Sequence, residues 1–158
     1  MPDAAGTPVI PKLRVLFLCT GNSCRSQMAE GWARRLKGET IDAASAGTHP
    51  KLLDPLAVRA MADVGIDIST QEPKSLRAVA HLPFDYVVTV CDDAHESCPV
   101  FPGCATIVHR GFDDPPRLAA GAKSEEEALG LYVRVRDEIK AFIEQLPQAL
   151  LREKGDPR

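Results

Sequence analysis

Apolar and polar positions along the chain alternate between two rhythms, short continuous apolar runs and longer stretches with a three-to-four-residue repeat. Residues 14–18 (RVLFL) read as a buried strand. Residues 26–37 carry Met28, Trp32 and Leu36 at i, i+4 and i+8, which predicts a helix with Gly38 as its stop. Residues 41–46 read as a second strand ending at Gly47. Asp54 is a cap and Pro55 a first-turn residue for a second helix, with Leu56, Ala60, Met61 and Val64 as its buried face and Gly65 at its end. Residues 75–80 form a weaker helical segment, and residues 86–90 (YVVTV) and 105–108 read as two more strands. Ser124 followed by Glu127 matches a capping box. It opens a long helix whose buried stripe is Ala128, Leu131, Val135, Ile139, Phe142 and Leu146.

Strands interleaved with helices predict an α/β domain: a three-layer sandwich with a four-stranded parallel sheet and helices on both faces. The expected organisation is a flexible N-terminal extension over residues 1–12, one domain over 13–148 and a polar C-terminal tail over 149–158. Parallel sheets bind ligands at the carboxyl ends of their strands. Cys19 directly follows the first strand, Cys91 the third, and GFDDPP (residues 111–116) the fourth. A parallel sheet therefore gathers all three on one edge.

Composition narrows the partners. With 158 residues, 44% apolar and 26% charged, the chain is an ordinary globular domain, and its net charge of −3 argues against nucleic acid. No run of about 18 apolar residues exists, so no membrane span is expected, and residues 1–12 lack the apolar core of a signal peptide. The five cysteines are thus expected in the reducing cytoplasm, where thiols serve catalysis, redox chemistry or metals more often than structural disulfides. The four histidines form no metal-ligand pair and no Cys-x2-Cys knuckle occurs, so no metal and no bound cofactor is expected.

Any anion must therefore be caught locally, and the turn after the first strand is built for that. Thr20, Gly21, Asn22, Ser23, Cys24 and Arg25 lie between a strand and a helix, where successive backbone N–H groups can form a nest for a tetrahedral oxyanion. The helix adds its positive N-terminus, Gly21 and Asn22 tolerate left-handed backbone angles, and Arg25 grips two oxygens at once. An ordinary thiol is only about 3% thiolate at pH 7, and the same field is expected to lower the pKa of Cys19 and make it the nucleophile. Ser26 is placed to add a hydrogen bond to the Cys19 sulfur, while the Cys24 side chain is expected to pack in the core.

The stretch CTGNSCRSQMAEG resembles the active-site loop of the low-molecular-weight tyrosine phosphatase fold, and more closely that of the thioredoxin-coupled arsenate reductases built on it. SAGTH, VGIDIS, VVTVCDDAHESCP, GFDDP and RVRDEIKAFIEQL extend the similarity from about residue 14 to 146. The resemblance implies a relay. The Cys19 thiolate attacks arsenate held by the loop, with Asp114 as general acid in preference to Asp113. Cys91 then attacks Cys19, Cys98 attacks Cys91, and thioredoxin reduces the Cys91–Cys98 disulfide. Two features favour reductase over phosphatase: hydrolysis has no use for Cys91 and Cys98, and Pro116 stands where the phosphatases carry an aromatic residue. The alternatives are a low-molecular-weight protein tyrosine phosphatase using Cys19, Arg25 and Asp114, and a non-catalytic oxyanion-binding module, which would leave Asp114 without a role. Cys91 and Cys98 on one helix would lie about 10.5 Å apart. A disulfide tolerates at most about 7 Å, so the segment between them is expected to unwind on oxidation and to be mobile. Cys104 is extra to the relay and is read as structural.

Some relatives bind potassium with residues matching Asn22, Glu30 and Ser45 plus an acidic group. Lys74 stands at the acidic place, and its ammonium is expected to do the cation's work. Replacing sodium chloride by potassium chloride should then leave turnover unchanged, and strong activation by potassium would refute this.

Overall fold

The computed structural model describes residues 11–91 and 105–155. Four strands, β1 (Leu13–Cys19), β2 (Ile41–Gly47), β3 (Tyr86–Thr89) and β4 (Thr106–His109), form one sheet in the order β2-β1-β3-β4. Every neighbouring pair is parallel, with Cys19 opposite Gly47 and Leu18 opposite Thr89. The helices are α1 (Arg25–Lys37), α2 (Pro55–Ala62), α3 (Leu76–Val79), α4 (Pro115–Ala119), α5 (Glu125–Glu144) and α6 (Gln148–Gly155). Among the described residues no helix is long and apolar enough to cross a membrane.

Continuous apolar runs in β1 and β3 have a simple cause. Val15–Cys19 of β1 and all four residues of β3 are buried, so side chains pointing to either face need apolar cover. Helix α1 packs on β1, β2 and α5, with Trp32 Nε1 donating to the Arg136 carbonyl at 3.1 Å. Arg136 in turn donates to the Ala60 carbonyl, tying α5 to α2.

Helix starts follow their caps. Asp54, Ser75 and Ser124 accept from Leu56, Arg77 and Glu127 N–H respectively, and Gly65 leaves α2 at φ +81°. The capping box closes one residue early, because Glu127 Oε2 takes the N–H of Lys123.

The expected stripes need correction in places. Leu36 is 39% exposed, while Gln27 and Glu30 of α1 and Arg136 of α5 are buried. The polar tail expected from residue 149 begins as helix α6, and Leu150 lies fully buried in the core. The expected 1–12 extension falls mostly outside the described residues. So do Cys98, Cys104 and the segment whose unwinding the spacing predicts.

Gly47, the last residue of β2, touches the turn after β1. A Cβ there would lie 2.6 Å from the Thr20 carbonyl oxygen and 2.9 Å from the Asn22 nitrogen. Gly47→Ala should therefore lower the unfolding free energy by about 1–3 kcal/mol, because backbone and not a flexible side chain must move. Gly130, inside α5, is the contrast, since an added Cβ would meet nothing within 4 Å. Gly130→Ala should gain about 0.5–1 kcal/mol from helix propensity. Urea melts of the two variants check both signs.

Candidate active site

The turn between β1 and α1 is shaped by where its carbonyl groups go. The β2–α2 connection donates Thr48 N–H to Cys19 O, His49 N–H to Thr20 O, Lys51 N–H to Gly21 O and Asp54 N–H to Ser23 O, at 2.8–3.2 Å. Gln27 Nε2 takes the Asn22 carbonyl and Met28 N–H takes that of Cys24. Each carbonyl from Cys19 to Cys24 thus has a donor. In a trans peptide the following N–H points the opposite way, so the turn's N–H groups face inward as a nest. Among the described residues no N–H from Gly21 to Arg25 donates to another backbone group, and α1 has no side-chain cap and no acid in its first turn. Its positive N-terminus is open to an anion.

Asn22 makes the shape. It is the turn's left-handed residue, at φ +48°, and is fully buried. Its side chain donates to Ser26 Oγ at 2.9 Å and accepts from Lys74 N–H at 2.9 Å. Gly21 does not share the left-handed angle; the Lys51 stem lies beside it, and a Cβ there would crowd Ser23 Oγ at 3.2 Å. The Ser26 contact expected with Cys19 is not what the structure shows, since the hydroxyl's hydrogen-bond partner is Asn22.

Arg25 is held from two sides. Its Nη1 donates to the Phe112 carbonyl at 2.9 Å, and its Nη2 lies 3.5 Å from Asp114 Oδ1. Nε is buried and has no hydrogen-bond partner among the described residues. A donor left unpaired at that depth is costly, and an oxyanion in the nest would satisfy it. Asp113 turns away to pair with Arg134 at 2.8 Å. Phe112, whose carbonyl steadies Arg25, is fixed by an edge contact with Phe142 and by Arg110 lying 4.5 Å over its ring.

Three buried cysteines lie in the region, Cys19, Cys24 and Cys91. Thr20 Oγ1 lies 3.3 Å from Cys91 Sγ, and Cys91 stands close enough to Cys19 to act on its thiol. The Cys91 contact and burial push the Cys19 thiol up, against the pull of Arg25 and the Thr20 backbone N–H. The lowered pKa expected from the turn alone is thus overridden in this arrangement by the neighbouring sulfur. The neighbouring Cys91 thus opposes a negative charge on Cys19. Cys24, beside Asp54 and desolvated, is pushed well up and stays a thiol.

The Lys74 expectation also needs correction. Its ammonium donates to the exposed Glu72 carbonyl, and only its backbone N–H reaches Asn22. The buried Glu30 carboxylate accepts from Ser45 Oγ at 2.6 Å and pairs with Arg34 at 2.6 Å. The cation beside Glu30 is Arg34.

The cleft over the nest has a volume of about 460 Å³. Leu52, Leu53, Pro55 and Pro116 line it, and among the described residues no aromatic side chain does. The splinting role of residues 48–54 carries no signal in the sequence, because backbone donors have no residue-type signature; Asp54, read only as a cap, also accepts from Tyr132 OH at 2.6 Å.

The sequence pattern of low molecular weight phosphotyrosine protein phosphatases matches residues 14–156. An arsenate reductase of Bacillus subtilis is 50% identical over 125 residues, covering 79% of this chain and 88% of that protein. Among solved structures, a low molecular weight protein tyrosine phosphatase from T. tengcongensis superposes with TM-score 0.68 at 29% identity, covering 87% of this chain and 99% of the other. A thioredoxin-dependent arsenate reductase of Corynebacterium glutamicum gives TM-score 0.63 at 25% identity, covering 95% of this chain and 67% of the other. A nest after the first strand of a four-stranded parallel sheet, an arginine at its end and an Asp-Pro facing it agree with a match over nearly the whole length: the chain belongs to the low molecular weight phosphotyrosine protein phosphatase family.

Proposed function

We propose that this protein reduces arsenate to arsenite. The observation that carries the reading is a second buried sulfur, that of Cys91, 3.3 Å from Thr20 Oγ1 in the turn that follows Cys19. A hydrolase needs one nucleophilic sulfur, whereas reduction of arsenic needs two electrons, and a pair of thiols supplies them as a disulfide forms.

Arsenate binds in the nest against Arg25, taking up its unpaired Nε and competing with Asp114 for Nη2. The Cys19 thiolate forms a sulfur–arsenic bond, and a protonated Asp114 gives its proton to the departing oxygen, which leaves as water. Cys91, as thiolate, attacks the Cys19 sulfur. The sulfur–arsenic bond breaks with its electron pair staying on arsenic, so arsenic(V) becomes arsenic(III) and a Cys19–Cys91 disulfide remains. Cys98 then attacks Cys91 and Cys19 leaves as thiolate. An external dithiol reduces Cys91–Cys98. Thioredoxin fits that task, in keeping with the dependence stated for the C. glutamicum neighbour, and such a cycle belongs in a reducing cytoplasm. Ser26, its oxygen already accepting from Asn22, keeps its own proton to donate and is assigned a supporting role beside Cys19. No tightly bound cofactor is required.

Phosphate ester hydrolysis is the second reading, favoured by a nest, Arg25 and Asp114 that need no second thiol. Among the described residues the cleft's lining of leucine and proline gives a phosphotyrosine ring no aromatic wall, which supports a small inorganic oxyanion as the substrate.

Arsenate-dependent NADPH oxidation with thioredoxin and thioredoxin reductase tests the relay. Cys91→Ser and Cys98→Ser should each lose at least about a hundredfold in turnover while hydrolysis of p-nitrophenyl phosphate continues. Unchanged arsenate reduction in either variant would sink the proposal. Asp114→Asn should slow both arsenate reduction and p-nitrophenyl phosphate hydrolysis by about a hundredfold or more, through kcat.

A further inference from the structure

Lys51 sits at the rim of the nest without a role in the chemistry above. Its backbone N–H is bound to the Gly21 carbonyl at 2.8 Å, and its stem lies across Gly21, with Cδ 3.4 Å from where a Cβ would stand. The side chain is therefore anchored on the nest's own backbone and lines the cleft together with Cys19, Arg25, Asp54 and Asp114. Its ammonium has no hydrogen bond or ion pair among the described residues.

The charges around it give that ammonium a task. Arg25 is paired with Asp114, and the two Asp54 oxygens accept from Leu56 N–H and Tyr132 OH, neither of which is a cation. Without Lys51 the cleft would present a net negative charge to an incoming dianion, in a protein whose overall charge is already −3. A charge at the mouth of a low-dielectric cleft acts on the rate of encounter, because the cleft walls focus its field.

We propose that Lys51 is the steering residue that draws anionic substrates into the nest and sets the preference for them over neutral molecules. It acts before chemistry. The inference deepens the arsenate reading and rests on it for the identity of the natural anion.

The test compares two reagents of similar size at Cys19, anionic iodoacetate and neutral iodoacetamide, with the modified peptide quantified by mass. Lys51→Gln should slow iodoacetate by about three- to tenfold and leave iodoacetamide unchanged. Lys51→Arg should restore the rate, and added sodium chloride should narrow the difference. In arsenate turnover the same variant should raise KM by a similar factor with kcat unchanged. Lys37→Gln, with the same change of charge about 18 Å away at the far end of α1, should match wild type in both assays. Equal slowing by both reagents, or Lys51 and Lys37 variants that behave alike, would overturn the proposal. A wild-type protein that reduces no arsenate would remove the arsenate reading and leave the alkylation comparison to decide Lys51.

Discussion

The site depends on one constraint: every carbonyl of the turn from Cys19 to Cys24 is held outward by a specific donor. A free six-residue turn would let its peptide planes rotate, and each rotation exchanges an inward N–H for an inward oxygen. Four of the six donors come from the single connection after β2, the fifth is Gln27 and the sixth is the first turn of α1. The anion nest is therefore a property of two loops locked together. Gly47 is where they touch most closely, which is why this position has no room for a side chain.

Within that frame the charges are arranged as a standing competition. Arg25 is fixed by a neutral carbonyl on one side and by a carboxylate on the other, with one buried donor left open. An oxyanion in the nest would fill the open donor and compete with the carboxylate for Nη2. The sulfurs also work on each other, since Cys91 opposes a negative charge on Cys19.

Much of this is legible in the chain. Strand and helix positions follow from apolar runs and caps, and the sheet rule by itself brings Cys19, Cys91 and Asp114 to one edge. What stays hidden has physical reasons. Backbone hydrogen bonds such as those from Thr48 and His49 are blind to side-chain type. Buried polar residues such as Gln27 and Glu30 break the apolar stripe that identifies a helix face, while Leu36 fits the stripe and is largely exposed. Lys74 has its backbone beside Asn22, yet its flexible stem carries the charge away, and Arg34, one turn along α1, reaches Glu30 instead. Leu150 is missed because Ala149, Leu150 and Leu151 make an apolar run too short to show a period.

The strand order has a further consequence for how such an enzyme could arise. The anion nest is written on β1 and β2 and their exits, and the second sulfur on the exit of β3, on the other flank of β1. Capturing an oxyanion and passing electrons to it are thus encoded by separate stretches that meet only across the central strand. A chain with this nest, Arg25 and Asp114 holds what the hydrolytic reading requires, and a thiol at the one position after β3 stands beside it on an unchanged scaffold. Redox chemistry then asks for no new fold, only for a sulfur placed one strand away.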